Sequence, residues 1–249
     1  MDYHRKSVCR GIAASVAILT LGGAAMAADP SAESVDHMFD VAFGATVTSD
    51  YISRGITQTD HTAAIQGYIE PSVGIFYGGV WASNVAFGGV ADVEVDVYAG
   101  IRPEFDMLSF DFGYNHAFYI NDPGSDSGEV FAKAYATVVE PLTIGAEAYV
   151  NPQGGATYIE ANADLTLPHN FGISGAVGHV GGDMPYATWN GGIYYTIGEW
   201  GTIDLRYTDT GLSTADCTSL TGLTGNECDA RVMLAVSIDT ALSALGGSN

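Results

Sequence analysis

Asp92, Glu94 and Asp96 alternate with Val93, Val95 and Val97, and a strand sets residues i and i+2 on one face. Carboxylates spaced about 6.5 to 7 Å apart along a strand would draw cations into a narrow passage and turn anions away. Arg102, Asp111, Lys133, Glu147, Glu160, Asp164, Asp204, Arg206 and Arg231 fall on the polar phase of later alternating stretches, and Gln66 and Glu70 on that of an earlier one. So many charges need water or one another, because a dry core cannot hold them. Arg54 lies in a long early connection and admits two readings: it folds toward the acidic phase and sets a constriction there, or it pairs with Asp50 or Asp60 inside its own loop.

Other chemistries find less support. Cys217 and Cys228, in CTSLTGLTGNEC, form an even pair, which in an exported chain reads as a disulfide. With no further Cys or His beside them a metal site is not expected, and the carboxylates lack the loop pattern of a calcium hand. No phosphate loop, dinucleotide fingerprint or zinc spacing is present, so no cofactor is expected. A lipid hydrolase would need a nucleophile and a base together; there is no G-x-S-x-G elbow, and Ser174 sits on the opposite phase from His179, so no catalytic residue is assigned. His116 and His179 fall on the outward phase, where a membrane interface accommodates imidazole.

The elements that must carry these charges repeat with period two. Twelve candidate strands fall near 38–48, 62–72, 75–85, 91–103, 109–120, 129–139, 142–151, 156–167, 171–180, 189–198, 201–209 and 230–239. Connections after even strands are tight, such as Glu140 and Pro141 or His169 and Asn170. Those after odd strands are longer and rich in Gly, Asp, Asn and Thr, such as Ser49 to His61 and Asp209 to Asp229. Loop length segregated by parity is the layout of an outer-membrane barrel, with short turns inside and long loops outside. The expected fold is all-β, a transmembrane antiparallel up-and-down barrel of about 12 strands, its apolar phase toward lipid and its polar phase toward a lumen. A soluble sandwich with a charged outer face is the competing arrangement, and nothing in it sorts loops by parity. Trp81, Trp189 and Trp200 are candidates for interfacial girdles.

Compartment follows from the start of the chain. Arg5, Lys6 and Arg10 precede the apolar run Gly11 to Gly23 and the small-residue site Ala25-Met26-Ala27, the pattern of a cleaved export signal over residues 1–27, with one domain over 28–249. Three of the eight basic residues and one of the 29 acidic residues lie in that signal, leaving 5 against 28, a net charge of −23. Binding to nucleic acid is therefore disfavoured.

At SDYISRGITQTD, AIQGYIEPS and YGGVWASNV, and again at VDVYAGIRPEF and at DARVMLAVSID after the cysteine pair, the chain resembles the TorF family of porins, first catalogued as a conserved proteobacterial family of unknown function. The resemblance implies an outer-membrane barrel with a pore role; it supplies no substrate and no catalytic residue. Barrels of this kind commonly end on a strand with a terminal aromatic, whereas this chain continues from Ile238 into TALSALGGSN. The expected function is passive diffusion of small hydrophilic solutes across the bacterial outer membrane, with outer-membrane lipid around the barrel and an acidic lumen preferring cations. In the alternative, a structural or interaction barrel, Arg102, Lys133, Arg206 and Arg231 pair with the carboxylates and fill the interior. Composition and pattern leave the oligomeric state open.

Overall fold

A computed structural model describes residues 39–86 and 91–246. The expected export signal, residues 1–27, lies outside the described residues, as does Val90. Twelve long strands form the wall: β1 (Asp40–Thr48), β2 (Ala64–Val73), β3 (Phe76–Asn84), β4 (Val93–Ile101), β5 (Leu108–Ile120), β6 (Ser127–Val139), β7 (Leu142–Val150), β8 (Thr157–Thr166), β9 (Phe171–Gly181), β10 (Tyr186–Ile197), β11 (Gly201–Asp209) and β12 (Arg231–Ala241). Each pairs antiparallel with its sequence neighbours, and β12 returns to pair with β1 from Ala42 opposite Ala241 to Thr48 opposite Ala235. Closure leaves no sheet edge in the wall, the condition for a sheet to stand in lipid. Strands of 9 to 13 residues match the tilted span of a membrane barrel.

The alternation sets the two faces. Phe43, Val47, Ile65, Ile69, Val80, Val97, Phe112, Ile144, Ile173, Val177, Leu205, Val232, Leu234 and Val236 point outward and are exposed. The buried set is aromatic and lies in the lumen: Trp81, Tyr98, Tyr119, Phe131, Tyr149 and Tyr158 pack with Tyr51. Outward aromatics pair near both ends, as Phe171 with Tyr195 and Trp189 with Tyr207, each pair 5.0 Å between centroids. Trp81 departs from the girdle expectation. It shares the inward phase of Tyr77 and Ser83 and meets Tyr51 edge-on at 5.5 Å, because the lumen offers it a ring partner.

Many of the 32 glycines serve the inward tyrosines. A Cβ on Gly79 would stand 2.5 Å from the Tyr98 hydroxyl, and one on Gly100 2.5 Å from that of Tyr77. The rings therefore lie flat along the wall over a neighbouring strand's glycine, which pins strand register.

Connections after odd strands run from four to 21 residues and those after even strands from two to six, so the expected parity holds for the longest loops but not at 102–107 against 182–185, and the two longest carry structure of their own. The segment between β1 and β2 folds into the barrel and holds a two-rung hairpin, Ile52–Ser53 against Ile56–Thr57. The segment between β11 and β12 carries a helix, α1 (Thr214–Thr221), capped by the Ser213 side chain at its start and by Gly222 at φ 73° at its end. Beyond β12 the chain turns helical at Leu242–Gly246.

Val97 is central in β4 and faces outward, while Asp96 beside it faces the lumen. Val97→Arg should therefore lower the stability of the vesicle-inserted protein by about 2–4 kcal/mol in denaturant titration; an unchanged midpoint would mean that this face does not meet lipid.

Candidate functional site

The hairpin between β1 and β2 determines the geometry of the lumen. Its tip is Arg54-Gly55, with φ of 49° and 80°, the two left-handed positions of a tight hairpin turn that ordinarily takes Asn-Gly or Gly-Gly. Gly55 is required there twice over, by its φ and because a Cβ would come within 2.5 Å of Thr210 and 2.8 Å of Thr188. Arg54 enjoys no such ease: a side chain with a Cβ is disfavoured at positive φ by roughly 1–2 kcal/mol. Its guanidinium reaches the β6 wall, where Nη1 and Nη2 donate to the two carboxylate oxygens of Glu129 at 3.0 and 2.9 Å. The rings of Tyr158 and Tyr149 face it at 4.6 and 5.4 Å from their centroids. Tyr186 donates its hydroxyl to the Arg54 carbonyl at 3.2 Å.

The stem of this loop is tied from several sides. Asp50 accepts from Thr57 Oγ1 at 2.5 Å, from Thr59 Oγ1 at 3.0 Å and from Arg231 Nη1 at 2.9 Å; the same Arg231 nitrogen contacts His61. The Gln58 amide donates to the Tyr51 carbonyl at 2.6 Å, and its carbonyl accepts from the Ala86 amide at 2.7 Å. Gln58 and Thr59 have no exposed surface. From outside, the Thr57 amide donates to the Glu227 carbonyl at 3.0 Å. Cys217 and Cys228, bonded as their pairing predicts with Cα atoms 5.9 Å apart, pack with Leu212 and Leu220 on Ile56 and Tyr186. The final loop thus lies over the inward one.

This placement corrects the expected carboxylate ladder. Asp92 precedes β4, is exposed and accepts from Asn121 Nδ2 at 2.7 Å. Glu94 and Asp96 do face inward, but neither has exposed surface. Tyr119 donates to Glu94 at 3.1 Å and Asn115 to Asp96 at 2.5 Å, and Tyr51 of the inward loop packs in the same aromatic cluster as Tyr119. The loop takes the space that an open path along these residues would need.

Deeper in the lumen charges are paired on one side and open on the other. Arg102 forks onto Glu70 at 2.5 and 3.1 Å, reaches Asp111 at 3.3 Å and lies 3.7 Å above the Tyr77 ring, whose hydroxyl donates to Asp111 at 2.5 Å. Lys133 stands in register between Asp111 and Glu147, its ammonium 5.1 Å from the Phe131 ring. Arg206 donates to Asp204 at 2.9 and 3.2 Å, to Asn190 at 2.6 Å and to Ser174 at 2.7 Å, so Ser174 is an acceptor for a guanidinium. Glu147, Glu160 and Asp164 differ. Glu147 accepts from Tyr135 and Tyr149 at 2.7 and 2.6 Å, Glu160 from Tyr158 at 2.6 Å, and Asp164 from Tyr194 at 2.9 Å. These three remain partly exposed to the lumen, each held by neutral donors.

The sequence reading omitted Glu129, although it shares the inward phase of Phe131 and Lys133 on β6. It also left Tyr149, Tyr158 and Tyr186 without roles, because tyrosines alternating in a strand look alike whether they face lipid or lumen. Among the described residues no cluster of His, Cys, Asp and Glu has the grouping of a metal site.

The fold is that of the porin-type barrels. A solved KdgM porin superposes with a TM-score of 0.56 at 11% identity, over 80% of this chain and 98% of its own. KdgM in complex with disordered oligogalacturonate gives 0.53 at 10%, over 81% and 97%, and the NanC porin 0.50 at 10%, over 80% and 98%. Comparison with curated proteins returns no match. Residues 32–239 match the family described as "Bacterial protein of unknown function (Gcw_chp)", and the chain belongs to that family.

Two predictions follow from the loop contacts. Glu129→Gln leaves the Arg54 guanidinium without its carboxylate in a site where both side chains are under 10% exposed; the loss should be about 3–5 kcal/mol, read from the denaturant midpoint, and Arg54→Gln on top of it should recover part. The second concerns pH. Burial pushes the Glu227 carboxyl up, but the Thr224 hydroxyl and the backbone amides of Glu227, Gly225 and Thr224 outweigh it and hold the group below its ordinary value. Such a group stabilises the folded loop above its unfolded value, and the contribution disappears as pH falls through the lowered folded value. Amides of Thr224 and Gly225 should lose hydrogen-exchange protection as acidification passes below the ordinary carboxylate range, and Glu227→Gln should abolish that dependence.

Proposed function

We propose that this protein is an outer-membrane channel for passive diffusion of small hydrophilic solutes, with a preference for cations, and that it performs no chemical step. The observation that carries the reading is the row Glu147, Glu160 and Asp164, partly exposed to the lumen and held by tyrosine and asparagine donors in place of cations. Ionised carboxylates in a confined passage lower the energy of an entering cation and raise that of an anion. Arg54, Arg102, Arg206 and Arg231 do not reverse this sign, since each is already bonded to a carboxylate, and Lys133, in register beside Glu147, sets a single charge against the three carboxylates of the row. The lipid partner is inferred from the closed wall and its apolar outer belt.

The ligand named with one fold neighbour does not transfer. Oligogalacturonate is a chain of uronic acids and hence a polyanion, and this lumen presents more inward carboxylates than cations. Cationic and uncharged solutes suit it better. A filled, non-conducting barrel is the second reading, favoured by the inward loop and its fully buried Gln58 and Thr59.

Conductance of the mature protein in a planar bilayer under a salt gradient tests the proposal. Stable steps with a reversal potential on the cation side are expected, and Glu147→Gln, Glu160→Gln and Asp164→Asn together should move that potential toward the non-selective value. A correctly inserted barrel without conductance would instead establish the filled reading.

A further inference from the structure

The Arg54 contact has the form of a bound ligand supplied by the chain itself. A carboxylate whose side chain is 4% exposed forks onto a guanidinium, with Tyr158 and Tyr149 presenting their rings to the cation. A carboxylate with two aromatic faces is a recognition set for guanidinium and alkylammonium groups. The residue filling it comes from a hairpin tip at φ 49°, a backbone position at which the turn itself would favour Asn or Gly. Local preference is overruled in favour of a side chain that reaches Glu129, and the contact offsets the cost of that backbone position.

We infer that Glu129, Tyr149 and Tyr158 form a binding site inside the barrel for guanidinium and primary ammonium compounds, occupied by Arg54 in the resting protein. A solute carrying such a group enters by exchanging with Arg54. The exchange conserves charge at Glu129, so the buried carboxylate is never left without a cation. It also moves the hairpin tip away from the β6 wall and widens the outer lumen. This rests on the channel reading, for which it names the solute class.

The test uses the full mature protein in detergent micelles, with methylguanidinium as probe and binding followed by calorimetry. Arg54→Ala should bind methylguanidinium at least tenfold more tightly than the wild-type protein does, because the tethered competitor is gone, and adding Glu129→Gln should remove the gain. Tetraethylammonium, which has no N–H donor for the fork, should show no such difference. Should Arg54→Ala fail to give the barrel's circular dichroism, Arg54→Lys serves, since an ammonium makes a weaker fork and should yield to methylguanidinium more easily than arginine does. A folded Arg54 variant with no gain over wild type, or a gain indifferent to Glu129→Gln, would overturn the inference. Binding is read without a membrane, so the two proposals separate. Tight binding in a barrel that never conducts would sink the channel and keep the site; conductance without the binding gain would do the reverse.

Discussion

A guanidinium held inside a barrel dictates much else in this structure. A charge with little access to water is tolerated only with an opposite charge and good hydrogen-bond geometry, and Arg54 obtains both from Glu129 across the lumen. To deliver it there, the chain between β1 and β2 must turn inward and satisfy its own polar groups away from solvent. Asp50, Thr57, Thr59 and Gln58 do this within the loop, while Ala86, Glu227 and Arg231 do it from neighbouring segments. The disulfide-closed segment packs Cys217 and Cys228 on Ile56, so it holds the inward loop down and is held by it.

That arrangement changes what the acidic lumen can do. Where the loop fills the interior, Glu94 and Asp96 become buried polar groups held by Tyr119 and Asn115. On the β7 and β8 side, Glu147, Glu160 and Asp164 keep contact with the lumen. The proposed cation preference therefore belongs to that wall, and the hairpin tip that narrows the lumen is seated against the same wall, on Tyr149 and Tyr158. Arg102 with Glu70 and Asp111 forms a separate ionic group near the short-turn end, with the arginine side chain 38% exposed.

How much of this was legible in the sequence depends on the kind of pattern each feature leaves. Strand positions and face assignment came through, because a wall between lipid and water imposes strict alternation: the outward row Val232, Leu234, Val236, Ile238 reads as directly as any. The longest loops were legible for the same geometric reason, and the cysteine pair because two thiols eleven residues apart in one loop have few alternatives. The inward fold of Ser49 to Ala63 was not, since a polar loop in water and a polar loop in a polar lumen have the same composition. Arg54 carried two readings until Glu129 was seen to face it. Asp92 misled because its phase matches that of Glu94 while β4 begins one residue later.

The central claim is that an acidic lumen, narrowed by the inward loop, passes small cations. The most direct measurement is the reversal potential of the refolded mature protein in a planar bilayer under a salt gradient. The account predicts stable steps with a reversal potential on the cation side; steps with an anion-side potential would contradict it.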